Sequence, residues 1–260
     1  MIDIINKNQC VVCGNCVNAC PKNCIELKEQ FESFKYPVID YEKCVKCEKC
    51  SKVCPALNIP EQRMAEDFYA VKNKNQDILK ISSSGGVFYP LAKYFIDNNG
   101  CVAGAAFDEC FEVNHILIND IDDLPKLCGS KYVQSDMNNV VNAIKTQLDS
   151  GRNVLFCGCS CQTAAIKAYL GEKYKNLLLI DFICHGAVSA DVFGEYKEYL
   201  EKKHGSKIKS FSFRDKSNGW LYSGPRVKFE NGSEYKSSLS KDLYMQGYFN
   251  NLNVKLSCYS

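Results

Sequence analysis

The chain has 260 residues and a net charge of +2, with 46% hydrophobic and 24% charged residues, as in ordinary globular proteins. So small a net charge argues against a nucleic-acid or membrane-surface partner. The longest apolar run, NLLLIDFIC, is too short to span a bilayer. The 17 cysteines are the unusual feature of the composition.

Eight of these cysteines lie in two runs with the same spacing, CVVCGNCVNACP at 10–21 and CVKCEKCSKVCP at 44–55. In the two-cluster bacterial pattern, the first three cysteines of a run bind one 4Fe–4S cluster and the fourth binds the other. We therefore predict two 4Fe–4S clusters with crossed ligands. The predicted ligands are Cys10, Cys13, Cys16 and Cys54 for the first cluster, and Cys44, Cys47, Cys50 and Cys20 for the second.

Two other uses of these cysteines fit less well. A structural zinc site takes two separated pairs of ligands, whereas each run here is a continuous triple followed by a fourth cysteine. A disulfide framework needs an oxidising compartment, but MIDIINKNQC does not resemble a signal peptide and an odd number of cysteines cannot all pair. We therefore expect metal chemistry in a reducing cytoplasm. Cys24 lies outside the ligand pattern and is predicted to be a small buried residue.

Residues 1–62 are predicted to form a ferredoxin-like module that binds both clusters. Between the two runs, IELKEQ and FKYPVID have the pattern of a β-hairpin. After the second run, NIPEQRMAED has the polar, proline-containing composition of a linker. The second domain is predicted to cover residues 63–260.

Strands and helices alternate in the second domain, which predicts a mixed α/β domain. Strands are predicted at FYAVKN, CVAGAAF, NHILIN, NVLFCG, NLLLIDFIC and IKSFSFRDK, followed by a hairpin, RVKFENGSEYKS, that turns at Asn231–Gly232. Helices are predicted in GGVFYPLAKYFIDNNG, NVVNAIKTQLDSG, SCQTAAIKAYLGEK and SADVFGEYKEYLEKKHG, and at the start of KDLYMQGYFNNLNVKLSCYS. NVLFCG and NLLLIDFIC are expected to be buried on both faces. No G-x-G-x-x-G fingerprint is present, so a Rossmann domain is not predicted.

Three strand-to-helix junctions are candidate sites. The segment SSSGG at 82–86 offers hydroxyl groups and bare backbone to phosphate oxygens, although it is also consistent with a simple helix cap. Cys161 and Cys184 follow two predicted buried strands, and ligands gather at the carboxyl ends of strands in open α/β sheets. Two core cysteines are the alternative, but the two clusters upstream favour a third metal site.

Several segments together resemble the beta-subunit family of coenzyme F-420 hydrogenases and dehydrogenases, which are flavoproteins with iron–sulfur clusters. Besides the ferredoxin-like start, the resemblance is carried by FYAVKNKNQDILKISSSGGVF, GSKYVQS, CQTAAIKAYL, IDFICHGAVS, FRDKSNGW and LSCYS. It implies FAD in the second domain and a further 4Fe–4S cluster beside it. In the namesake members the substrate is a deazaflavin coenzyme, whereas other members reduce other acceptors.

On this resemblance, a third cluster is expected to be bound by Cys161, Cys184 and Cys258. The residues expected to hold FAD phosphates, or to contact the flavin or its acceptor, are Ser83, Ser84, Gly85, Gly86, Lys131, Gln134, Gln162 and Arg214. No general acid or base stands out. His185 is the best candidate for handling a proton, and a structural role fits it equally well.

Two departures from the family pattern affect the third cluster. The family commonly has Gly-Thr-Pro-Cys-Gln where this chain has Gly-Cys-Ser-Cys-Gln at 158–162, which adds the thiol of Cys159. The family usually continues past a Cys-Tyr-x-Cys element, whereas this chain stops at Ser260. The chain is therefore expected to be a shortened form that holds the third cluster poorly, with a fourth ligand missing or replaced by Cys159.

The sequence thus predicts an α+β fold, with a two-cluster ferredoxin-like module followed by a mixed α/β flavin-binding domain. The predicted function is that of an iron–sulfur flavoprotein oxidoreductase, which passes electrons between the clusters and FAD and exchanges hydride with a small organic acceptor. Its expected partner is a redox protein such as ferredoxin or another oxidoreductase subunit. The alternative is an electron-transfer subunit with no substrate of its own.

Overall fold

The computed structural model describes residues 2–30, 33–59, 64–137, 139–217 and 219–259. The helices are α1 (Asn15–Asn18), α2 (Lys49–Lys52), α3 (Gln76–Ile81), α4 (Phe88–Asp97), α5 (Leu124–Leu127), α6 (Val140–Asp149), α7 (Ser160–Leu170), α8 (Ala190–His204) and α9 (Leu243–Phe249). The strands are β1 (Ile25–Glu29), β2 (Lys35–Ile39), β3 (Cys101–Phe107), β4 (Val113–Ile118), β5 (Val154–Cys159), β6 (Leu177–Phe182), β7 (Ile208–Asp215), β8 (Gly224–Phe229) and β9 (Glu234–Lys236). This mixture of helices and sheets confirms the predicted α+β fold class.

The N-terminal module repeats one local structure twice. Each cysteine loop leads into one short helix, α1 or α2, and the antiparallel hairpin β1–β2 joins the two halves. The hairpin was predicted from its alternating pattern and is confirmed, with Ile25 opposite Ile39. Part of its predicted turn, residues 31–32, and residues 60–63 of the predicted linker lie outside the described residues.

The central sheet of the second domain has the strand order β4-β3-β5-β6. Strands β3, β5 and β6 are parallel, and β4 pairs with β3 in the antiparallel sense. Alternate side chains of β3 and β5 point to opposite faces, because side-chain direction in a strand has a period of two. Cys101 and Phe156 pack with α6 and α7, whereas Val102 and Leu155 pack towards α4 and α5. The sheet is therefore the middle of three layers.

A second, antiparallel sheet, β7-β8-β9, lies beside helices α8 and α9. The predicted hairpin turn is confirmed at Asn231–Gly232, where Gly232 has a φ of +84°. Helix α8 begins after Ser189, whose hydroxyl accepts a hydrogen bond from the Val192 N–H, and it ends at Gly205 in the left-handed conformation. The core between the helices and this sheet is rich in aromatic side chains, including Phe193, Phe211, Phe213, Phe229, Tyr244 and Tyr248.

Two sequence predictions about strands are wrong. FYAVKN is not a strand: it runs as an exposed, irregular segment whose end binds the backbone of a distant loop, with Asn73 N donating to Gly85 O at 2.7 Å. Strand β6 is not buried on both faces, since Leu178 is 42% and Phe182 50% exposed. An apolar run indicates a strand, but it does not distinguish the edge of a sheet, where β6 lies, from its centre.

The N-terminal module docks onto the sheet domain through α1. The Asn15 side chain donates to Ala165 O on α7 at 2.8 Å, and Tyr169 on the same helix donates to Asn18 O at 3.3 Å. On the other side, the Lys255 ammonium donates to Cys10 O at 2.6 Å. Within the described ranges, no helix is both long and apolar enough to cross a membrane.

Candidate metal centres

Four thiols from both cysteine runs line one small cavity. We call this group site A; it consists of Cys10, Cys13, Cys16 and Cys54. Burial, together with smaller contributions from the neighbouring thiols of Cys10 and Cys54, raises the pKa of Cys13 to about 12, so the thiols are close enough to repel as thiolates. The Asn15 N–H points at the Cys13 sulfur and acts in the opposite direction. Such a set of thiols and N–H donors fits an iron–sulfur cluster.

A second set of thiols lines another small cavity. We call it site B; it consists of Cys20, Cys44, Cys47 and Cys50. Cys20 comes from the first run and Cys54, in site A, from the second. The structure therefore places the eight thiols in the crossed arrangement predicted from the spacing. Their roles as cluster ligands remain predictions.

The two cysteine loops repeat an unusual backbone conformation. Val12 and Lys46, each two residues after the first cysteine of its run, have φ values of +56° and +54°. Gly14 and Glu48, each one residue after the second cysteine, have φ values of +74° and +60°. The left-handed region is unfavourable for a β-branched residue such as Val12, and such strain is commonly kept at functional sites. The paired conformations wrap each loop around its cavity.

Cys24 also borders site B, a position that the sequence did not predict. It is buried, as predicted, but its sulfur lies 3.3 Å from the Cys20 sulfur and it lines the same cavity. Burial acts to raise the pKa of Cys20, but hydrogen bonds from the Cys24 and Lys22 N–H groups and the Cys24 thiol outweigh it and lower that pKa. Site B therefore has a fifth thiol within contact distance of one predicted ligand.

A third set of thiols forms where strands β5 and β6 end. We call it site C; it consists of Cys159, Cys161, Cys184 and Cys258. Cys159 and Cys184 are in hydrogen-bonding contact, which lowers the pKa of Cys184 to about 6 and raises that of Cys159. Burial raises the pKa of Cys161 to about 11, and the neighbouring thiols of Cys258 and Cys184 add to this effect. The structure thus brings the three predicted cysteines together.

Cys159 is the fourth thiol of site C and was not in the predicted ligand set. It ends β5 opposite Phe182 of β6, and α7 begins at the next residue, so Cys159 and Cys161 flank one strand-to-helix turn. The Cys159 N–H donates to the Gln162 side chain at 2.9 Å, which fixes that turn. A ligand from beyond Ser260 is therefore not needed to complete a set of four thiols.

The C-terminal segment carries Cys258 to site C by packing against the loop after β6. Lys255 N donates to Ala187 O at 2.9 Å, and Val254 forms a β-bridge with Val188. Gly186 permits this close approach, because a Cβ at that position would lie 2.3 Å from a Val254 methyl group. His185 lies in the same loop, where its Nε2 is 2.7 Å from Asn251 Oδ1 and its ring contacts Tyr248.

Sites A and C are neighbours. The pKa of Cys13 in site A is raised mainly by burial and by the other site A thiols. The Cys161 thiol of site C makes a smaller contribution in the same direction. The α1–α7 contact through Asn15 joins the same two regions. Across the described ranges, no three His, Cys, Asp or Glu side chains converge as closely as a single metal ion requires.

Three of the segments that carry predicted flavin contacts meet one another. Ser130 donates to the Ser83 hydroxyl at 2.8 Å, which joins GSKYVQS to SSSGG. Lys216, from FRDKSNGW, donates to Ser82 O and to Leu79 O. Lys131 is bound to Cys128 O at 3.0 Å, and burial lowers its pKa to about 8.

The two glycines of SSSGG have a structural explanation. A Cβ on Gly85 would lie 2.3 Å from Val71 O, so this position requires close backbone packing. Gly86 has a φ of +75°. The following helix, α4, begins only at Phe88, so the predicted helix start at Gly85 is wrong by three residues. A phosphate-binding role for Ser83, Ser84, Gly85 and Gly86 remains a prediction.

The other predicted flavin contacts, Gln162, Gln134 and Arg214, differ in their burial and hydrogen bonds. Gln162 is buried and uses both ends of its amide, accepting from Cys159 N and donating to the Ser135 hydroxyl at 2.8 Å. Gln134 donates to Ser135 O at 3.4 Å. Arg214 stacks on Trp220 at 5.4 Å, and its buried Nε has no hydrogen-bond partner in the part of the chain that the structure describes.

Comparison with known families matches different family models to the two ends of the chain. Residues 9–58 match a 4Fe–4S dicluster domain, and residues 36–87 match a second model of that description. Residues 151–251 match the C terminus of the coenzyme F420 hydrogenase/dehydrogenase beta subunit. The predicted family is confirmed. The chain contains a ferredoxin-type 4Fe–4S dicluster domain, followed by an α/β domain that matches this beta-subunit family over residues 151–251.

Solved structures include chains similar to this one. One belongs to the F420-reducing NiFe hydrogenase complex from Methanosarcina barkeri, with 18% sequence identity and a TM-score of 0.46. The similarity covers 71% of this chain and 66% of the solved chain. The search of curated proteins found no match.

Proposed function

We propose that this protein is an iron–sulfur flavoprotein oxidoreductase with three 4Fe–4S clusters, which passes electrons between these clusters and FAD. In this proposal it exchanges hydride with a small organic acceptor, such as a deazaflavin coenzyme. The observation that carries the proposal is the completion of site C by four thiols directly beside site A. A cluster there would connect the ferredoxin-type module, residues 1–62, to the domain formed by residues 63–260.

The arrangement of the three sites supports an order of electron transfer. Sites A and B are built from the same two cysteine runs, and site A faces the second domain. Site C lies on the far side of that interface, at the carboxyl ends of β5 and β6. Electrons would enter or leave at site B, from a partner such as ferredoxin or another oxidoreductase subunit, and pass through site A to site C.

The residues of site C fit a cluster because of their chemistry. Cys159, Cys161, Cys184 and Cys258 influence one another's pKa values, so four thiolates at this point would repel one another without a compensating cation. Cluster irons provide that positive charge, and a 4Fe–4S cluster takes four thiolates. In this proposal Cys159 is the fourth ligand of that cluster.

The second domain also has features that fit FAD. The buried Arg214 Nε and the hydroxyl groups of Ser83 and Ser84 are donors suited to an anionic cofactor. Bound FAD would supply the conversion between one-electron and two-electron transfer. Lys131 and Gln134 would contact the flavin or the acceptor. Gln162 is better explained as a positioning residue, because its amide holds the Cys159 turn against Ser135.

The test is a count of cofactors after anaerobic reconstitution. Iron and sulfide analysis is expected to give about four irons for each of the three sites, and the visible spectrum is expected to contain a flavin. Clusters without any flavin would support the alternative, an electron-transfer subunit with no substrate of its own. Iron for only two clusters would overturn the role given to site C.

A matched pair of variants tests the flavin contacts separately. Arg214→Ala is expected to lower flavin occupancy, whereas Lys209→Ala, an exposed position on the same strand, is expected to leave it unchanged. Gly86→Val is less informative, because its positive φ makes any side chain unfavourable there. Equal flavin content in both β7 variants would contradict the assignment of Arg214.

A further inference from the structure

Lys255 is buried between two candidate cluster sites. Only 1% of its surface is exposed, although lysine is among the residues least often buried. Its ammonium donates to Cys10 O at 2.6 Å and lies over the rings of Phe34 and Tyr36, 5.6 and 5.4 Å from their centroids. Cys10 belongs to site A, and both rings belong to the hairpin of the N-terminal module.

The backbone of Lys255 is tied to site C. Its N–H donates to Ala187 O in the loop that carries Cys184, and its carbonyl accepts from the N–H of Cys258 at 3.0 Å. The four strongest charge interactions of its ammonium are with thiols of both sites, namely Cys10, Cys258, Cys161 and Cys13. The side chain therefore crosses from the site C segment to the backbone of a site A ligand.

A cation in this position has a definite electrostatic effect on neighbouring clusters. A 4Fe–4S cluster bound by four thiolates is anionic, and it becomes more so when it accepts an electron. Its reduction potential depends on net charge and on hydrogen bonds around the sulfurs. A buried ammonium stabilises the reduced state more than the oxidised state, because little water is present to screen it.

We propose that Lys255 is a positioning residue that raises the reduction potentials of the clusters at sites A and C together. Because the same ammonium lies near thiols of both sites, it shifts the two potentials in the same direction. The thiols that interact most strongly with the Lys255 charge belong to sites A and C, so the potential of site B is expected to depend on it least. The part of this inference that concerns site C rests on the proposed third cluster.

The test is a redox titration of the iron-loaded protein with dithionite, followed by EPR. Lys255→Met is expected to shift the potentials of sites A and C to more negative values and to leave site B unchanged. Lys209→Met removes an exposed lysine of β7 and is expected to shift none of them. Unshifted potentials at sites A and C in Lys255→Met, or an equal shift at all three sites, would overturn the proposal.

Iron analysis separates this inference from the proposed function. If the native protein holds only two clusters, the third cluster is refuted, and the shift at site A still tests Lys255. If Lys255→Met loses iron, two further variants test whether the charge is responsible. Lys255→Arg keeps the positive charge, whereas Lys255→Gln removes it. Iron retained by Arg and lost by Gln supports the proposal. Equal loss from both, or unshifted potentials in the Gln variant, overturns it.

Discussion

The N-terminal sites and site C hold thiols in two different ways. Sites A and B are formed by two short cysteine runs, and the left-handed residues of each loop, such as Val12 and Lys46, bend the chain locally around its cavity. Site C is assembled from three distant segments: the turn at 159–161, the loop at 184 and the C-terminal turn at 258. A site built from local loops depends on backbone conformation, whereas a site built from distant segments depends on how those segments dock.

The largest expected effect comes from breaking that docking. Gly186→Val would place side-chain atoms where a Cβ alone already lies 2.3 Å from Val254, so the C-terminal segment and Cys258 should be displaced. We expect the loss of about four irons per chain, the content of one 4Fe–4S cluster. Overpacking should also lower the free energy of unfolding by about 1–3 kcal/mol.

Gly194→Val is the control for this variant, because Gly194 lies in α8 and a Cβ there would meet nothing within 4 Å. Iron and sulfide analysis, with EPR of the reduced protein, is the measurement. Full iron content in Gly186→Val would show that site C does not depend on this contact.

The next largest effect is expected when a single thiol of site C is removed. Cys159→Ala should lose about four irons, because site C is left with three thiols, while sites A and B keep theirs. Cys157→Ala is the matched control, two residues earlier on β5, where the thiol belongs to the core near Cys128. Equal iron in the two variants would rule out Cys159 as a ligand.

A smaller effect is expected at site B because of its fifth thiol. Cys20→Ser should weaken the site B cluster and leave site A intact, as the crossed arrangement requires. Cys24 lies within 3.3 Å of Cys20, so we expect the single variant to keep more iron than Cys20→Ser with Cys24→Ser. Site-resolved EPR measures both variants. Damage confined to site A would show that the ligand assignment is wrong.

The smallest effect concerns the contact between the two modules. Asn15→Ala removes the buried hydrogen bond to Ala165 O across this contact and a part-buried one to Val53 O within the N-terminal module, which should cost about 1–3 kcal/mol without loss of iron. Asn142→Ala removes an exposed hydrogen bond to Asn18 and should cost less than about 1 kcal/mol. Thermal unfolding of the two variants compares them. An equal change in melting temperature would contradict the importance of the buried contact.

Sequence alone determined the parts of this protein that depend on local pattern. The spacing of the cysteine runs predicted sites A and B with their crossed arrangement, because three-residue spacing places neighbouring thiols around one centre. The residue patterns of single segments located the hairpin β1–β2 and strands β3, β4 and β5, with β5 predicted from a run that has no polar interior. The family segments, read together, indicated the correct family.

Only the tertiary structure decided which distant residues meet. Cys159 joins site C because β5 and β6 end side by side, and Lys255 lies between sites A and C because the C-terminal segment packs on the loop at Gly186. The edge position of β6 and the loss of the predicted strand FYAVKN have the same origin. Such pairings depend on contacts between residues far apart in the chain, and the residue pattern of a single segment carries no information about its partner.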